Sequence, residues 1–213
     1  HLEQRQGSAF QGLELEGRAL PIVLVNRPGT LQRAVDRGGR DGIVFRDVEA
    51  PGEGDTVQRY EDVTTRWRSK RRLGGFIVHE LEGERYLKDF YLSVIDRIQP
   101  EFEVADDEIW LHVDVGEQTL VVYRGRTPIF GTLVSTGLPG HETPIGRFRI
   151  EQKFVGNTMD NVGPEAGAGA YRIEDVPWTQ YFRDGYALHA AFWHDRFGIS
   201  RSHGCVNLTP ADA

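Results

Sequence analysis

Short apolar runs rich in β-branched residues recur along the chain, separated by glycine, proline and charged residues, which is a pattern of strands and turns. Leu20, Pro21, Ile22, Val23, Leu24 and Val25 form the first such run. Asn26, Arg27, Pro28 and Gly29 close it as a strong turn signal. Ile43, Val44 and Phe45 follow a glycine-rich break at 38–42, and residues 50–55 interrupt the chain again. Residues 74–81 predict one arm of a hairpin that turns at 82–85 and returns over 86–90. Strands at this spacing predict a small β-barrel, SH3-like or similar, over residues 1–104.

Pro100 and the acidic stretch 103–108 read as a linker, which places a domain boundary near residue 104. Beyond it, residues 109–115, 119–123 and 129–137 predict a meander punctuated by glycine. Residues 137–146 form a loop, and 148–154 predict a further strand. Met159 to Ala170 ends in Ala166, Gly167, Ala168, Gly169 and Ala170, small residues before the aromatic Tyr171 that suggest a mobile flap. The fold class predicted is mainly β, in two domains, 1–104 and 105–213.

Composition narrows the classes of function. With 213 residues, 39% of them hydrophobic and 27% charged, the chain can bury a real core. A net charge of −7 argues against a general nucleic-acid binder. The basic run Arg66, Trp67, Arg68, Ser69, Lys70, Arg71, Arg72 is compatible with an anionic-polymer patch, but such a run is more often a solvated strand or turn. No stretch approaches the ~18 apolar residues of a membrane span. Residues 1–7 lack the apolar core of a signal peptide, so an exported protein would be represented here by a mature or recombinant form.

Candidate chemistry concentrates in residues 186–208. This stretch holds the chain's one cysteine, Cys205, and His189, His194 and His203. A thiol attacks as thiolate, so a nucleophilic cysteine needs a nearby base or positive charge. If residues 202–208 are extended, His203 and Cys205 share a face, and so do Cys205 and Asn207. Gly204 leaves the backbone beside the thiol bare, so the Gly204 and Cys205 amides could turn toward a developing oxyanion. Two other readings stand beside this one: a buried cysteine acting as a small hydrophobe, and a zinc site drawing on His189, His194 or His203 with Cys205.

From residue 109 to 213 the chain resembles the L,D-transpeptidase (YkuD-type) catalytic domain, a family of bacterial peptidoglycan cross-linking enzymes. The resemblance rests on His189, on Ser202, His203, Gly204 and Cys205 after a spacer, and on Thr143, Pro144, Ile145, Gly146, Arg147 and Phe148 upstream. It implies a β-sandwich or barrel catalytic domain with short helices, preceded by a module that could bind the cell wall. It also implies catalytic roles for Cys205 as nucleophile, His189 as general base oriented by the Ala190 carbonyl, His203 as a polarising neighbour, Ser202 as a hydrogen-bonding partner, and Gly204 with Cys205 as oxyanion donors. Met159, Tyr171, Trp193 and Asn207 would line the substrate pocket, although many family members carry Arg where Asn207 stands. Thr143, Pro144 and Gly146 are read as scaffold, and His141 as a loop residue.

The implied partners are peptidoglycan stem peptides, with carbapenem-type β-lactams as covalent inhibitors. No metal or other cofactor and no nucleic acid is expected, and the implied location is the periplasm or cell wall. The acyl acceptor would be an amine of a second stem, or water in an L,D-carboxypeptidase. A catalytically inactive wall-binding protein is the remaining alternative. Family domains continue past the motif with a helix and a closing strand, so the resemblance makes the catalytic domain look truncated at its C-terminal end.

Overall fold

A computed structural model describes residues 68–73, 75–95, 98–161 and 171–213 in full, with strand placement alone for shorter stretches between residues 14 and 67. The proposed turns at 26–28 and 38–42, and the small-residue segment 162–170 with its expected flap, lie outside the described residues.

The chain divides into two compact units, one within Ser8–Val113 and Thr119–Leu133 and the other containing Asp114–Gln118 and Val134–Ala213. Both are mainly β. The first holds the strands β1 (Glu14–Leu15), β2 (Arg18–Ala19), β3 (Ile22–Val25), β4 (Gly29–Thr30), β5 (Gln32–Asp36), β6 (Ile43–Asp47), β7 (Thr56–Val57), β8 (Trp67–Leu73), β9 (Phe76–Leu81), β10 (Arg85–Lys88) and β11 (Leu92–Ile95). Its largest sheet runs β6-β5-β10-β9-β8. The hairpin predicted over 74–90 forms as β9 and β10, but its return arm stops at Lys88, where Asp89–Tyr91 make a 3-10 turn.

Val78, Leu81 and Leu87 are fully buried, Leu81 and Leu87 on one face of that hairpin and Val78 on the other. His79 is buried on the face of Leu81 and Leu87, its Nε2 lying 2.8 Å from Asp89 Oδ1. The basic run becomes β8, a largely exposed strand whose cations face carboxylates: Arg71 meets Glu80 at 2.7 Å, Lys70 meets Asp89 at 3.0 Å and Arg68 meets Glu82 at 3.5 Å. Such exposed pairs contribute about 0–1 kcal/mol each.

The predicted meander follows as β12 (Ile109–Asp114), β13 (Thr119–Arg124) and β14 (Thr127–Leu133), in that spatial order. Trp110 stacks on Tyr123 with ring centroids 4.2 Å apart and donates its indole N–H to the Gly125 carbonyl at 2.7 Å. An indole can be buried because its one polar atom has found a partner.

The second unit is built on β15 (Gln152–Asp160), β16 (Arg172–Arg183), β17 (Tyr186–Ala190) and β18 (Val206–Leu208), neighbours in that order. The strand predicted from 148 begins only at Gln152. Phe148 instead packs its ring 5.4 Å from Phe182, beneath the Arg183 guanidinium, and this contact holds the chain out of the ladder. The first three strands are antiparallel, whereas β17 and β18 are parallel, with Leu188 opposite Val206 and His189 opposite Asn207. A parallel pair needs a crossover connection, and residues 191–205 supply it.

On its other side β18 is bridged by Ser135, whose N–H and carbonyl both bond the Asn207 backbone at 2.9 Å. Asn207 is thereby fixed from both flanks. Gly137 extends this contact to Ser202 and donates its N–H to Thr143 Oγ1 at 2.9 Å. The loop 141–143 lies so close over Gly137 that any side chain there would meet the His141 carbonyl.

Candidate active site

The thiol of Cys205 sits just ahead of β18, 9% exposed, packed against Met159, Val176 and Ala187. Its Sγ lies 3.9 Å from the Gly185 carbonyl. Burial pushes the thiol up from its ordinary range, and a hydrogen bond from the Ala187 main chain offsets only part of this. His189, 3% exposed, places Nδ1 3.0 Å from the carbonyl of Ala190. A carbonyl only accepts, so Nδ1 carries the proton and Nε2 is left as the basic nitrogen. Burial lowers the imidazole from its ordinary range, with the Ala190 bond opposing and His194 adding to the fall.

Between Arg201 and Val206 the backbone is not a strand. Ser202 bridges to Gly137, His203 and Gly204 bend, and regular pairing resumes only at Val206. The bend is held by one hydroxyl: Ser202 Oγ donates to the Cys205 carbonyl at 2.5 Å and accepts from the Gly204 N–H at 3.0 Å. Gly204 has φ +110°, and a side chain there would run into the Tyr186 ring. Only glycine meets both conditions.

Two expectations change with this geometry. The strand alternation that placed His203 beside Cys205 does not apply, because the chain bends between them. His203 is instead exposed, its ring 4.5 Å from His141 and 6.0 Å from Tyr171. The Gly204 N–H is already given to Ser202 Oγ, so of the two amides expected to serve an oxyanion, that of Cys205 remains the candidate.

A cavity of about 350 Å³ opens over the thiol. Cys205, His189, Ser202, His203, Asn207, Met159, Tyr171 and Trp193 all line it, while Gly204 stands behind it against Tyr186. Met159 belongs to β15 rather than to a flap, and is 6% exposed. Tyr171 is held by its N–H to Asn161 Oδ1 at 2.6 Å, and Trp193 lies 5.7 Å from the His189 ring. The walls also include Ile173, His194 and Arg201, which motif reading had left out of the pocket. His194 was visible in sequence only as a possible zinc ligand, and Arg201 stands one residue before the motif with no pattern to mark it.

Among the described residues no three His, Cys, Asp or Glu side chains are grouped to hold an ion.

Residues 108–213 match the YkuD family, described as the L,D-transpeptidase catalytic domain. This part of the chain belongs to that family. Over 123 residues the chain is 27% identical to a Bacillus subtilis (strain 168) protein provisionally named L,D-transpeptidase YciB, covering 52% of this chain and 60% of the relative's length. A solved L,D-transpeptidase from Mycobacterium smegmatis is 18% identical with a TM-score of 0.45, over 88% of this chain and 90% of that one. L,D-transpeptidase 3 from Mycobacterium tuberculosis, solved with a faropenem-derived adduct, is 21% identical with a TM-score of 0.45, over 49% of this chain and 52% of that one.

Proposed function

We propose that this protein is a peptidoglycan L,D-transpeptidase in which Cys205 is the nucleophile and His189 the general base. The observation that carries the reading is the convergence of a buried thiol and a buried imidazole, its tautomer set by the Ala190 carbonyl, on one cavity. In the first half-reaction His189 Nε2 takes the thiol proton as Sγ attacks the carbonyl of the L-centre diamino acid in a stem tetrapeptide. The oxyanion forms toward the Cys205 amide. Collapse breaks the bond to the terminal D-alanine, whose amine leaves with the proton from His189 and whose acyl partner remains as a thioester.

In the second half an amine of another stem attacks the thioester, passing a proton through His189 to the departing sulfur. The amide formed is a cross-link between third residues of two stems. Water in place of the amine would release a tripeptide and make the protein an L,D-carboxypeptidase. Met159, Tyr171 and Trp193 give the cavity apolar and aromatic walls, while Asn207, His194 and Arg201 supply its polar ones. Such a protein would act outside the cytoplasm, and carbapenem-type β-lactams would acylate Cys205. Residues 1–104 would serve as a wall-binding module for the catalytic domain.

Product analysis by mass spectrometry after incubation with disaccharide-tetrapeptides tests the reading. A cross-linked dimer lacking one D-alanine supports transpeptidation. Tripeptide alone would transfer the reading to the carboxypeptidase, and unchanged substrate would overturn both.

A further inference from the structure

Arg201 supplies the one permanent charge among the described residues that line the cavity. No aspartate or glutamate stands with it on that wall. Burial holds the His189 and His194 rings below their ordinary range and the Cys205 thiol above its own, so at pH 7 none of the three adds to the guanidinium or offsets it. The wall therefore presents a net positive charge to whatever enters.

The backbone of this residue is fixed, but its charge is not taken up. The Arg201 N–H bonds the Thr136 carbonyl at 2.9 Å, and the Ser202 N–H bonds the same oxygen at 3.0 Å. Among the described residues no ion pair or side-chain hydrogen bond engages the guanidinium. Its charge is felt at the cavity: after burial, Arg201 is the largest cause lowering His194, whose ring belongs to the same wall. Asp195 and Arg196, both exposed, act on that ring in opposite senses, and neither lines the cavity.

A guanidinium presents its N–H donors in a rigid planar fork that fits the two oxygens of a carboxylate. Met159, Ile173 and Trp193 give the same cavity apolar walls, which suit a ligand with an apolar body and one anionic group better than a polyanion. We infer that Arg201 is a binding residue that takes a carboxylate of the acyl donor, so that the site selects an anionic donor over a neutral one. That the carboxylate belongs to an acyl donor rests on the acyl-transfer reading; that the cavity holds a carboxylate does not. A stem tetrapeptide offers two sources: the carboxylate of the terminal D-alanine, two bonds beyond the departing nitrogen, and a second one carried by the third residue.

Initial rates with three tetrapeptide donors test this: one with both carboxylates free, one amidated at the D-alanine and one amidated at the third residue. Arg201→Gln should raise KM for the free donor about tenfold, as for loss of one charged hydrogen bond, with a smaller change in kcat. Arg201→Lys should recover part of the loss. Amidating the carboxylate that Arg201 holds should cost the wild type the same factor and cost Arg201→Gln nothing further, so the donor showing this non-additivity names the source. A normally melting Arg201→Gln protein with unchanged KM, or additive losses with both amidated donors, overturns the inference. If the wild type turns over none of the donors, the acyl-transfer reading fails, and the same comparison is made on binding of the three peptides, followed by tryptophan fluorescence. Binding that weakens about tenfold in Arg201→Gln and depends on one carboxylate upholds the site; no saturable binding to the wild type overturns it.

Discussion

His189 gives its Nδ1 proton to the carbonyl of Ala190, the next residue on the same strand, at 3.0 Å. The bond fixes the ring and favours an imidazolium, but less than burial disfavours it. Burial acts in the same sense on both reacting groups, lowering His189 and raising Cys205. On the proposed acyl-transfer reading the resting pair would be neutral thiol and neutral imidazole, with the proton moving only as the substrate is attacked.

Acylation of Cys205 should accordingly rise with pH. Its acid limb, where His189 gains a proton, should fall below the ordinary imidazole value of about 6.5, and the rate should still be climbing past the ordinary thiol value of about 8.5. Stopped-flow acylation across this range checks the order of the two groups. A rate that falls above about pH 8, as an imidazolium loses its proton, would instead mean a preformed thiolate–imidazolium pair. The same burial makes His189 a stability term: its folded value lies below its unfolded one, so its contribution is complete above about pH 6.5 and is lost as pH falls toward the lowered value.

Gly204→Ala should be among the most damaging single substitutions. It forces an L residue to φ +110° and drives a methyl into the Tyr186 ring. Backbone strain and overpacking each cost about 1–3 kcal/mol, and together they should lower the melting temperature clearly. Chemical denaturation of the variant measures it. A loss under about 0.5 kcal/mol would show that the bend is not as tightly built as described.

Ser202→Ala leaves the Cys205 carbonyl and the Gly204 N–H without their buried partner. Stability should fall by about 2–6 kcal/mol, at 1–3 kcal/mol for each group stranded. Ser202→Thr keeps the hydroxyl and should recover most of this in the same denaturation experiment. Equal losses in both variants would point to packing rather than to the two hydrogen bonds.

These predictions turn on features that differ in how far the sequence reveals them. The hairpin of β9 and β10 and the meander of β12 to β14 are legible because local alternation and turn residues specify them. So is the proximity of His189 and Cys205 to one site, which the family resemblance supplied. The bend at His203 and Gly204 was not legible. It depends on Tyr186, remote in sequence, and on a serine hydroxyl that reaches across three residues. The start of β15 at Gln152 was hidden for a similar reason, since Phe148 is a good strand former held elsewhere by Phe182. His194 reaches the cavity wall because the crossover between β17 and β18 carries it beside Asn207.

The most direct test of Cys205 as an activated acyl acceptor is intact-mass spectrometry after incubation with a carbapenem, on the wild type and on Cys205→Ala. A single adduct of the inhibitor's mass on the wild type, absent from the alanine variant, is the expected result. Equal modification of both proteins, or none on a correctly folded wild type, would contradict it.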